Sequence, residues 1–161
     1  MNGFALFGLS ILMSFIAITI VTKVYIWPRL RDMNRTDALI PLVIPHIFRF
    51  AGLSFLIHGV VSPTLSPAFA IPAAYGDLIA AILAGVATLS LTAHKSWSIL
   101  IIWVFNLWGA VDLLFAFYQG QNSVGINPGL LGASFFIPTV IVPPLLVTHG
   151  LIFRLLLRPK Q

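Results

Sequence analysis

Residues 4–22 carry no charge and hardly a polar group, and four more stretches of similar character follow before residue 161. A helix needs about 20 mostly apolar residues to cross a bilayer. In lipid the backbone must satisfy its own hydrogen bonds, which a helix does within one segment. The alternative, a water-facing globule, fails on composition. The chain is 59% hydrophobic and 8% charged, whereas a soluble domain is about 25% charged. The expected fold is therefore all-α, a polytopic helical bundle forming a single transmembrane domain over residues 1–161. Its five spans are placed at about 3–26, 38–61, 72–93, 97–118 and 130–157. The first run lacks a basic flank before it and a small-residue cleavage site after it, so it reads as a span rather than a leader. Trp27-Pro28 is expected to close span one and Pro72 to open span three. Pro138 and Pro143-Pro144 are expected to interrupt span five.

The basic residues orient the bundle. Lys23, Arg29, Arg31 and Arg35 fall at the first connection, Lys95 at the third, and Arg154, Arg158 and Lys160 at the C-terminal end. The second and fourth connections contain neither Lys nor Arg. The positive-inside rule then predicts an outside N-terminus and a cytoplasmic C-terminus. This distribution also accounts for the net charge of +5, which leaves no basic surface over for nucleic acid.

Several chemistries lack their residues. With no Cys there are no disulfides, thiolate metal sites or cysteine nucleophiles. The acids are Asp32, Asp37, Asp77 and Asp112, with no Glu, so a zinc-binding HExxH helix cannot form. No nucleophile elbow or phosphate-binding loop occurs either. No catalytic residue, metal site or cofactor is expected, and the chain reads more readily as a non-enzyme.

The remaining signal is polar residues inside apolar spans. An ionisable group there costs roughly 2.5–3.5 kcal/mol and marks a functional site by default. Arg49 and Asn106 each lie about 18 Å below the outer ends of their spans at a helical rise of 1.5 Å. Asp112 and Asp77 lie higher. Side chains lean toward a helix N-terminus, which tilts Asp112 toward Arg49 and Asp77 away from it. The expected arrangement is a ligand-binding polar column. Asp112 and Asn106 hold Arg49 in it, Asp77 stands at the outer mouth, and His58 lies near the same surface. Its bland counterpart is a structural Arg49–Asp112 pair. His46 and His149 fall at equal depth on different spans, the geometry of two axial ligands to a b-type haem, although a histidine bonded to a neighbouring helix is the commoner outcome. The uncharged, proline-rich second connection, 62–71, is expected to be an interfacial turn or, in a sharper form, a lid.

The function expected from these features is binding, and in a stronger form transport, of a small polar or anionic solute in an outward-facing polar cavity between helices. The alternatives are an accessory or assembly subunit of a larger membrane complex, and a haem-binding redox protein. Besides the bilayer, expected partners are a small-molecule ligand and a homo-oligomer or larger complex. The segments FRFAGLSFLIHG (48–59), FAIPAAYGDLIAAILA (69–84) and NLWGAVDLLFAFYQG (106–120) resemble an uncharacterised family of small bacterial integral membrane proteins. The matching positions include Arg49, Gly52, Phe69, Pro72, Gly76, Asp77, Asn106, Gly109 and Asp112, while Phe105 stands where the family pattern has Trp. The resemblance implies a multi-pass protein of the bacterial inner membrane and no particular chemistry.

Overall fold

The computed structural model describes residues 2–123 and 125–158. Lys160, one of the basic residues used for orientation, lies outside the described residues. Five helices are long and apolar enough to cross a membrane: α1 (Gly3–Leu30), α2 (Arg35–Leu56), α3 (Pro67–Thr92), α4 (Ser98–Asn122) and α5 (Ile137–Leu156). Among the described residues there is no strand.

Local chemistry sets the helix ends. Asn2 Oδ1 accepts the Ala5 N–H at 2.9 Å and opens α1. Asn34 does the same for α2, accepting from Asp37 N–H at 2.9 Å, so α2 begins three residues earlier than expected. Both are ordinary N-caps. Pro67, rather than Pro72, occupies the first turn of α3, where a missing N–H costs nothing. Trp27-Pro28 does not end α1. A wide π-type turn over Thr22–Ile26 precedes it and the helix runs on to Leu30. Similarly, a π-type turn at Ile137–Ile141 leads into the helix that carries Pro143-Pro144 in its first turn. The break in the expected fifth span falls instead at Gly132, whose φ is +52°. It lies within the short 3₁₀ stretch Pro128–Phe135 that precedes α5 and kinks it in two.

The second connection is tied down. Ser62 N–H donates to Leu130 C=O at 2.9 Å and Ala133 N–H to Val60 C=O at 3.0 Å. A Cβ at Gly132 would collide with that Val60 carbonyl. Leu65 and Phe69 are buried. The segment is a packed turn running into α3.

α3 lies between α2 and α4, and α5 packs on α2, α4 and α1. α1 is peripheral, with only Phe7 and Leu30 buried. Two apolar clusters stack along the bundle. One gathers Leu30, Leu39, Leu42, Leu91, Ile102, Phe105 and Leu155 at the basic end. The other gathers Phe7, Phe55, Phe69, Leu113, Leu131 and Val142 at the opposite end. His46 and Arg49 of α2, Asp77 of α3, Asn106 of α4 and Thr148 and His149 of α5 are buried and fall between the two. Lys23–Arg35 and the end of α5 share the basic end: Arg35 donates to the Arg158 carbonyl, and the Arg154 guanidinium sits 3.9 Å from the Trp27 ring centroid. Five helices running alternately up and down bring these two segments to the same end.

Candidate functional site

Arg49 sits on an unusual stretch of α2. Residues Ile44–Leu56 form a 13-residue 3₁₀ helix, begun by Pro45, and its buried residues are His46, Arg49, Gly52 and Phe55. These are spaced by three, the repeat of a 3₁₀ helix. In an α-helix the same four would drift by about half a turn. The tighter winding aligns them in one row facing the bundle.

The Arg49 side chain is 1% exposed and forks between two carboxylates. Nε donates to Asp77 Oδ1 at 2.7 Å and Nη2 to Asp112 Oδ2 at 2.6 Å. Nη1 donates to the Gly109 carbonyl at 3.1 Å and faces His149 Nε2 at 3.5 Å. A guanidinium can only donate, so His149 Nε2 is the acceptor and the ring proton is on Nδ1. Asn106 Oδ1 receives that proton at 2.7 Å, while Asn106 Nδ2 donates to the His149 carbonyl at 3.3 Å. His46 lies behind. Its ring meets that of His149 with centroids 4.2 Å apart, and Nε2 is 2.9 Å from Thr148 Oγ1. Thr148 donates its own proton to the Leu145 carbonyl, so His46 is the donor there and its buried Nδ1 has no partner.

Three glycines let the helices come this close. A Cβ on Gly52 of α2 would overlap the Asp77 carboxylate of α3. One on Gly76 of α3 would overlap the Asp112 carboxylate of α4. One on Gly109 of α4 would stand 2.8 Å from Arg49 Nη1 of α2 and 2.7 Å from the His149 ring of α5. Each charged side chain thus fills the slot left by the next helix's glycine, closing a ring through α2, α3 and α4. Small residues serve helix approach in lipid generally; here they also bring charges within hydrogen-bond reach.

The sequence places Arg49 with Asp112, and the structure joins them. Other expectations need correction. Asp77 is a direct partner of Arg49 rather than a mouth residue, because the Gly52 slot draws α3 against α2. Asn106 does not touch Arg49; it holds His149. His58 is exposed in the turn after α2, lines neither of the two cavities beside the Arg49 cluster, and is not bonded to that cluster. His46 and His149 do not fit a haem. Axial ligands stand on opposite faces of the macrocycle, yet these rings touch, and three of their four nitrogens are engaged within the protein. Among the described residues no group of three potential metal ligands occurs. The sequence reading overlooked Thr148 and the Gly109 carbonyl. A signal for the glycines was present: each charge has one within three positions, at Gly52, Gly76 and Gly109.

A cavity of about 60 Å³ lies on the side of this cluster away from the basic end. All five spans line it, and Asp77 and Asp112 stand among otherwise apolar groups that include Phe7, Phe55, Phe69 and Phe117. At the loop end it reaches Gln121, which is exposed. Its walls are thus more apolar than the polar column expected. Arg49 is absent from the lining; it contacts a much smaller void of about 10 Å³ between α2, α3 and α5.

No curated protein and no solved structure matches the chain. One family model does, over residues 6–157, and so the chain belongs to the family described as a domain of unknown function, DUF8737.

Proposed function

We propose that the protein binds a small solute in this cavity and passes it across the membrane, with the end free of basic residues facing outside. The cavity supports the reading most directly: every span contributes to it, and it ends on two carboxylates held in place by a buried arginine. A purely structural ion pair would need no such space beside it. The distribution of Lys and Arg supports a cytoplasmic C-terminus, and the family resemblance supports a bacterial inner membrane.

Ala73 lines the cavity one helical turn from Asp77 and makes no hydrogen bond to Arg49, so Ala73→Trp fills it. In purified protein, solutes of a few heavy atoms should raise the unfolding temperature of the wild type and not of Ala73→Trp. Equal responses in both proteins would contradict the proposal.

A second reading, an accessory subunit of a larger membrane complex, draws on α1, where only 6% of the most apolar window is buried. Gentle extraction yielding a stoichiometric partner would favour it, and a single monodisperse component would count against it.

A further inference from the structure

The charges at the cavity floor do not balance. Arg49 supplies one positive charge and Asp77 with Asp112 two negative ones, and Lys, Arg and Asp are otherwise absent from the cavity lining. Each carboxylate gives one oxygen to Arg49, whereas Asp77 Oδ2 and Asp112 Oδ1, seated against Gly52 and Gly76, accept no hydrogen bond among the described residues. Asp77 is 94% buried in the sense that only 6% of its surface is exposed. An uncompensated charge in such surroundings is costly and is relieved by a proton or by a positive partner.

The guanidinium, by contrast, is out of reach. It stands behind its carboxylates with four of its five N–H groups directed at protein acceptors. An anion entering the cavity would meet two carboxylates before any cation. In place of the polar or anionic solute expected from the sequence, these walls favour a cationic one.

Building on the cavity reading above, we propose that the site selects a small alkylammonium ion, its N–H groups on Asp77 and Asp112 and its carbon atoms against the phenylalanine walls. An ammonium brings three donors and no acceptor, matching the two free carboxylate oxygens. Phe7, Phe55, Phe69 and Phe117 give the carbon atoms apolar contact, and a ring face, unlike an anion-favouring edge, attracts an organic cation. A bare metal ion is disfavoured because hard cations take six or more oxygen ligands, and beyond the two carboxylates the lining has only Gln121 as a polar side chain. At about 60 Å³ the cavity is well below the roughly 300–1,000 Å³ of drug-sized sites, which limits the ligand to a short chain.

Propylammonium, propionate and propanol share a carbon skeleton and differ in the head group. Binding of the three to the full-length protein in detergent or nanodiscs, read by calorimetry, separates the possibilities. The expected result is propylammonium binding at least about tenfold tighter than either analogue, the size of effect that one or two charge-assisted hydrogen bonds give. In Asp112→Asn that preference should vanish while the weak propanol binding persists, showing that the variant still folds. Propionate binding as tightly as the amine would overturn the cation assignment and leave the cavity reading intact. So would propanol matching it. If none of the three binds to the wild type, both the assignment and the cavity reading fail.

Discussion

At Gly76 a single methyl group would displace a carboxylate, and that is where the account is most exposed at the residue scale. Gly52→Ala, Gly76→Ala and Gly109→Ala should each destabilise the protein by about 1–3 kcal/mol, the usual cost of overpacking. Gly85 lies in the same helix as Gly76 with nothing within 4 Å of its added Cβ. Gly85→Ala should therefore be neutral or stabilising by up to about 1 kcal/mol. Thermal or denaturant unfolding in one detergent compares the four. Arg49→Met removes the shared partner of two buried carboxylates and should cost about 3–5 kcal/mol. Replacing both acids as well, with Asp77→Asn and Asp112→Asn, should recover much of that loss, because what destabilises is the unpaired charge. The position and polarity of Arg49, Asp77 and Asp112 were legible in the sequence from the cost of placing charge in lipid. Their partners were only half legible. The lean of a side chain along its helix suggested Asp112 and missed Asp77, because the depth of α3 is set by the Gly52 slot on a different helix.

The element that departs furthest from expectation is α2. A row of residues three apart, from His46 to Phe55, sits within a span whose hydrophobicity is the same for either winding. Over so short a stretch the repeats of 3.0 and 3.6 cannot be separated by composition, and Pro45 is the only local hint. The difference is measurable as length. Ile44 and Leu56 are 41% and 36% exposed and suited to spin labels. Their backbone separation should be about 24 Å for a 3₁₀ rise of 2.0 Å and about 18 Å for an α-helix. A distance near the shorter value in pulsed electron resonance would show that α2 is wound as an ordinary helix, and the straight row facing the bundle would be lost. Elsewhere the ends of the helices were misjudged for a simple reason. Pro28 and Pro72 end no helix, because a wide turn precedes Pro28 and Gln119 Nε2 donates at 2.7 Å to the Ala68 carbonyl that Pro72 leaves free.

For the whole molecule, two apolar clusters enclose one polar layer, and this layering was visible in outline from the depths of the charged residues alone. Five helices of membrane-spanning length were legible too. A cavity between helices was expected, but its largely apolar walls were not, since Phe7 of α1 and the Pro128–Phe135 stretch close the space above Asp77 and Asp112. The absence of Cys makes orientation simple to test. Single cysteines at Ser62 or Gln121 should react with an impermeant maleimide from outside intact cells, and cysteines at Arg31 or Lys95 only after the membrane is opened. The reverse pattern would invert the bundle. The central claim, that one arginine inside the bundle is held by two aspartates from different helices, can be measured without a ligand. In bilayers, with nitrogen-labelled arginine, carbon-labelled aspartate and Asp32→Asn to silence the Arg31–Asp32 surface pair, dipolar dephasing reports which side-chain nitrogens lie beside a carboxyl carbon. The account predicts dephasing at both Nε and an Nη of one arginine, the Nε effect lost in Asp77→Asn and the Nη effect in Asp112→Asn. Dephasing that survives both substitutions, or is absent from the start, would contradict it.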